Sequence, residues 1–135
     1  MSANFTIVMT SKPDITSRAD IEKFITRFYE KVKTNEVIGF IFTDIAKVDW
    51  EHHIPVITDF WETILLDNPV YKNNAMGVHY ALNAKLPLQE AHFKTWVQLF
   101  SETVDEYFEG KVAMLAKTRA ASIAALMQHK MTTSR

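Results

Sequence analysis

Tyr29, His53, Trp61, His79 and Trp96 are the residues whose types and spacing could do chemistry in this chain. Each falls on the apolar stripe of a predicted helix or where helices should meet. Imidazole nitrogens ligate metals or move protons, while phenol and indole groups donate hydrogen bonds. A polar tip buried without a partner costs roughly 1–3 kcal/mol. Their recurrence on inward faces therefore calls for a shared partner inside the core.

A lone histidine on an apolar face is ordinarily a hydrogen-bonded core residue. His53 and His79 differ because they lie on separate predicted helices with a loop between, so they can face one another across a flat cofactor. At 100° per residue His53 lies within its stripe, whereas His52 points away into solvent. His92 sits near the edge of its stripe and His129 near the chain end; both are expected at the surface, without a role. Phe28, Phe60, Phe100 and Phe108 read as packing. The Tyr29 O–H and Trp96 N–H need acceptors when buried, and helical carbonyls are mostly used already, so a ligand in the core could accept both.

The elements that position these groups are helices. Only 3 glycines and 4 prolines occur, and apolar residues recur at helical spacing, which predicts an all-α fold. Ser17 and Asp20 suit a capped start for a helix with Ile21, Phe24, Ile25, Phe28, Tyr29 and Val32 inward. Residues 39–42 read as a corner too short to be an element, with Phe40, Ile41 and Phe42 as an apolar plug. A second helix runs from about Asp49 to Leu66, with a bend or irregular start expected at Pro55. Asn73 or Asn74 caps a short helix carrying Met76, His79, Tyr80 and Leu82. Pro87 suits the start of a long helix with Phe93, Trp96, Val97, Phe100, Val104, Tyr107 and Phe108 inward, ended by Gly110. A last helix spans roughly Lys111 to Lys130. Val112, Leu115, Ala116, Ile123, Leu126 and Met127 form its packing face, with Ala120, Ala121, Ala124 and Ala125 allowing close approach.

Composition excludes several functions. The 135 residues are 47% hydrophobic, enough for one domain with its own core. Lysine plus arginine (15) nearly balances aspartate plus glutamate (16), so neither nucleic acid nor an anionic membrane is indicated as a partner. The absence of cysteine leaves a metal to histidine or oxygen. Glycines at 39, 77 and 110 cannot form a phosphate-cradling loop. No Glu precedes a His by three residues, as the paired motif of di-iron bundles requires, and no serine has a nucleophile-elbow context. Met1–Met9 lacks the basic start of a signal peptide, and no apolar run reaches the ~18 residues of a membrane span, so a cytoplasmic protein is expected.

From about Ile21 to Met127 the chain resembles the truncated haemoglobins of the third group, whose members lack the paired glycine motifs of the other two. The resemblance runs through Phe28-Tyr29-Glu30-Lys31-Val32, Gly39-Phe40-Ile41-Phe42, Trp50-Glu51-His52-His53, Asp59-Phe60-Trp61 and His92-Phe93-Lys94-Thr95-Trp96-Val97-Gln98-Leu99-Phe100. It implies a truncated globin fold, a helix-on-helix sandwich enclosing haem b. Residues 17–130 would form the globin-like domain, 1–16 an N-terminal extension and 131–135 a flexible tail. His79 would be the proximal iron ligand, its second ring nitrogen donating to a backbone carbonyl. Phe42 would pack on the porphyrin, Trp61 would line the pocket, and Tyr29, His53 and Trp96 would surround the sixth coordination site. His53 could itself bind the iron when no other ligand is present. Lys72 and Lys85 flank the proximal helix and could reach the propionates. The implied activity is binding of oxygen or another diatomic ligand in the service of redox chemistry: oxygen activation, nitric oxide conversion to nitrate, or peroxide reduction, with an unidentified reductase. The alternatives are non-catalytic gas storage or sensing, and a cofactor-free helical interaction module.

Overall fold

The computed structural model describes residues 11–133, and every element in it is helical. Helix α1, Arg18–Thr34, begins where the Ser17 hydroxyl accepts the Asp20 N–H. Its six expected inward residues, Ile21 to Val32, are all buried. Asn35 ends it and its side chain accepts the N–H groups of Val37 and Ile38, turning the chain. The corner that follows is an element after all: Ile41–Ile45 forms a π-helical turn. Only Ile41 of the expected plug is buried there; Phe42 is half-buried and Phe40 exposed.

Helix α2, Trp50–Leu66, runs unbroken through an exposed Pro55. Its start is tightened, because the Asp49 carbonyl accepts from both His52 and His53 N–H groups. His52 is exposed, as expected. Thr58 and Glu62 are buried although neither belongs to the expected apolar stripe. The Thr58 hydroxyl donates to the Ile54 carbonyl at 2.7 Å. Glu62 is held by Arg18 of α1, which reaches Glu62 and Asp59 at 2.7 Å each, and by Asn68 at 3.0 Å. Asp67, in the left-handed conformation, closes the helix.

Helix α3, Ala75–Lys85, starts at Asn74, whose side chain accepts the Gly77 N–H. Helix α4, Glu90–Tyr107, begins three residues after Pro87 rather than at it. The reason is Asn83, buried near the end of α3: its Oδ1 accepts the Leu88 N–H at 2.9 Å, which draws Leu88 into the core. Helix α4 also ends earlier than Gly110. Phe108 is extended, and its buried ring meets Phe24 edge-on at 6.3 Å.

Helix α5 spans Lys111–Thr133. Its buried stripe is Ala113, Ala116, Ala120, Ala124, Met127 and Met131, one face at 100° per residue. Ala121, Ala125 and Leu126 lie off that face and are exposed. The helix continues past Lys130 into the segment expected as a flexible tail. Met131 is fully buried, and its carbonyl accepts from Asn83 Nδ2 at 3.1 Å.

The segment expected as an N-terminal extension is built into the domain from residue 11 onward; Met1–Met9 lies outside the described residues. Ile15 is a core residue. Asp14 caps α5 from the other end of the chain, accepting the Val112 and Ala113 N–H groups at 3.0 and 2.9 Å. Burial would raise its pKa, but these donors and the Ile15 N–H outweigh it and hold the carboxyl below its ordinary range. Gly110, at φ +134°, makes room for this cap. A Cβ there would stand 2.5 Å from the Asp14 carboxyl carbon.

Helix α1 packs on α2 and α4, α4 on α5, and α3 on α5. Phe24, Phe28, Trp61 and Phe100 knit α1, α2 and α4 together through ring contacts, with Trp61 and Phe100 centred 4.8 Å apart. No described helix is long and apolar enough to cross a membrane.

Candidate functional site

One cavity collects all six residues singled out from the sequence: Tyr29, Phe42, His53, Trp61, His79 and Trp96. Helix α3 brings His79. Its Nδ1 lies 2.7 Å from the carbonyl oxygen of Ala75, one turn earlier. A carbonyl can only accept, so Nδ1 carries the proton and Nε2 keeps its lone pair. The helix thus sets both the orientation of the ring and which nitrogen is free to ligate.

Helices α1, α2 and α4 bring the donors. The Trp96 indole N–H donates to the Tyr29 hydroxyl. Tyr29 is buried, which pushes its phenol well above the usual range, so it stays protonated. Among the described residues nothing accepts the Tyr29 proton. The Tyr29 and His53 rings meet edge to face at 5.0 Å.

His53 Nε2 is the one buried side-chain polar atom without a hydrogen-bond partner among the described residues. Burial, with contributions from the nearby His79 and His52, pulls the His53 imidazole down from 6.5 to about 4. It is therefore neutral at pH 7, with an unmet nitrogen inside the cavity wall.

Phe42 stands edge-on to Tyr29 at 5.8 Å and stacks on Trp50 at 6.2 Å. Trp50 in turn touches Tyr29 and His53 and carries the Lys33 ammonium over its ring at 4.6 Å. Trp61 is both a lining residue and a core residue, at 2% exposure.

Two polar lining residues were missed. Tyr71, in the loop before α3, packs on Phe60 with ring centres 5.1 Å apart. His92, expected at the surface without a role, lines the cavity while its Nδ1 accepts the Gln89 N–H at 2.9 Å. The signal for His92 was the helix start: Gln89 and His92 form a reciprocal capping box, a pairing hidden because the usual residues are Ser or Thr followed by Glu. Lys72 and Lys85 are exposed and do not line the cavity. His129 is exposed, as expected.

No group of three or more histidine, cysteine, aspartate or glutamate side chains among the described residues could hold a bare metal ion. A metal here must bring most of its ligands with it. The residues present fit such a group: a largely apolar wall, one imidazole lone pair, and a buried nitrogen without a partner. A flat macrocycle carrying the metal meets all three conditions.

No protein-family model matches the chain. Among curated proteins, the chain is 26% identical over 121 residues to the group 3 truncated haemoglobin ctb of Campylobacter jejuni, covering 87% of this chain and 93% of that protein. Among solved structures, it matches the crystal structure of the group III truncated haemoglobin from Campylobacter jejuni with a TM-score of 0.77 at 27% identity, covering 89% of this chain and 94% of the other.

Proposed function

Because the chain is a homologue of the group 3 truncated haemoglobins, we propose that its cavity holds haem b through His79 and that the protein uses it for redox chemistry on diatomic ligands or peroxide. Bound there, haem supplies a coordination position for the ligand and one-electron exchange with it. The protein's own contribution is positional and electrostatic. The carrying observation is the convergence on one cavity of a ligating nitrogen from α3 and donors from α1, α2 and α4.

The Tyr29 hydroxyl accepts from Trp96 and so has its own proton left to give. Aimed at negative charge developing on a ligand, such a bond is strongest in an enclosed, water-poor site. One charge-assisted bond of about 1.5 kcal/mol slows ligand escape roughly tenfold. That retention suits reaction better than carriage or release. Conversion of nitric oxide and oxygen to nitrate consumes one electron per turnover, so this use requires an external reductase.

Absorption spectra of the purified protein as isolated, reduced, and reduced with carbon monoxide test the haem reading. A protein that is colourless and cannot be reconstituted with haem would overturn it in favour of a helical interaction module. Nitrate formation from nitric oxide, or peroxide consumption, under a supplied reductant tests the reaction. Reversible ligand binding without turnover would favour storage or sensing instead.

The unpartnered His53 Nε2 supports a second reading, in which His53 occupies the sixth position when no external ligand is present. It predicts a low-spin ferrous spectrum in the wild type that turns high-spin in His53→Ala. A wild-type ferrous spectrum that is already high-spin counts against it.

A further inference from the structure

Resting on the haem-binding reading, we propose that His92 holds a haem carboxylate at the mouth of the cavity through its Nε2–H. The ring has two constraints. Its Nδ1 accepts the Gln89 backbone N–H at 2.9 Å, which places the proton of the neutral imidazole on Nε2. The ring is also half-buried: it lines the cavity, faces Phe40 at 6.5 Å, and remains partly open to solvent. The capping interaction therefore fixes a hydrogen-bond donor at the boundary between cavity and water.

That boundary is where the carboxylates of a haem must lie, because a buried, unpaired carboxylate is strongly disfavoured. No lysine or arginine lines the cavity, so a carboxylate emerging from it has no lining cation to meet. The other imidazoles are placed for different tasks: His79 has its Nδ1–H on Ala75, and the His53 Nε2 is buried without a partner. His92 joins partial exposure to a ring proton that the capping bond leaves free for a ligand. Burial also lowers its pKa, which favours the neutral form that can accept from Gln89 and donate to the ligand at once.

The helix cap and the carboxylate contact can be separated by substitution. His92→Glu preserves the cap, since glutamate is the usual residue at this position of a capping box, but sets a negative charge against the haem carboxylate. His92→Gln offers both an acceptor for Gln89 and a donor for the carboxylate. The measurement is the rate of haem transfer from each holoprotein to excess apomyoglobin, alongside thermal unfolding of the same samples. His92→Glu is expected to lose haem about tenfold faster or more without a lowered melting temperature, and His92→Gln to stay near the wild type. With haem dimethyl ester, whose carboxylates are blocked, wild type and His92→Glu should release at the same rate. Unchanged haem loss in His92→Glu, or faster loss that persists with the ester, overturns the carboxylate contact while leaving the haem reading intact. A wild type that takes up no haem sinks both.

Discussion

The His79 Nδ1–H donates to the Ala75 carbonyl at 2.7 Å, so a turn of α3 decides which imidazole nitrogen faces the cavity. Removing the ring should remove the proposed iron ligand and little else, because His79 is only half-buried. His79→Gly is expected to bind haem weakly with an altered visible spectrum, and added imidazole is expected to restore the wild-type spectrum. A His79→Gly protein with the spectrum of the wild type would show that another residue ligates the iron.

Tyr29 and Trp96 form a coupled pair, since the indole donates to the phenol. Tyr29→Phe is expected to raise the oxygen dissociation rate roughly tenfold, the loss of one charge-assisted bond, and Trp96→Phe to raise it by less, because the indole acts through the phenol. The double variant should fall short of the product of the two, as partners in one network do. Stopped-flow displacement of oxygen by carbon monoxide measures all three. Unchanged rates would remove these residues from the ligand-stabilising network.

His53 makes the haem-free chain sensitive to acid. Its value is about 4 in the folded protein against 6.5 ordinarily. Between those values the unfolded chain binds the proton more readily, so stability falls as pH drops from 6.5 and the loss is complete below 4. The total amounts to about 3 kcal/mol. Urea unfolding of the haem-free protein from pH 7 to pH 4 should show this decline, and His53→Leu should flatten it. Superimposable pH profiles for the two proteins would rule out His53 as the source.

Asn83 ties three segments together by bonding Leu88 N–H and Met131 C=O. Asn83→Ala is expected to destabilise the fold by about 1–3 kcal/mol, the usual penalty when buried polar groups lose a partner. Hydrogen exchange should locate the loosening at Leu88 and in the last turn of α5. A loss spread evenly over α1 and α2 would contradict this latch.

The helices that carry the site were legible because burial at period 3.6 leaves a direct trace in residue order: the stripe of α1 was complete, and His53 was separated from His52 by angle alone. What stayed hidden depended on single long-range bonds. Pro87 signals a helix start by its own geometry, yet Asn83 captures Leu88 and delays α4 to Glu90. Met131 belongs to the core only because α3 reaches the end of α5. Glu62 is buried because Arg18, on another helix, meets its charge. His92 looked like an edge residue because its role is set by the turn before it. Phe42 and Trp61 are set apart from other rings by resemblance alone; periodicity says only that such rings pack.

The Asp14 cap on α5 spans a sequence separation of 98 to 99 residues. Closing a loop of that size costs about 4 kcal/mol of chain entropy, a cost that argues against making the cap early in folding. Asp14→Ala is therefore expected to leave the refolding rate nearly unchanged and to speed unfolding about 5- to 30-fold, in line with the loss of a helix cap. Both limbs can be read from folding and unfolding kinetics in denaturant, and a slowed refolding limb would place the contact early instead. A clasp that closes last and opens first would set the lifetime of the folded chain, and here it would join the segment before the first helix to the start of the last one.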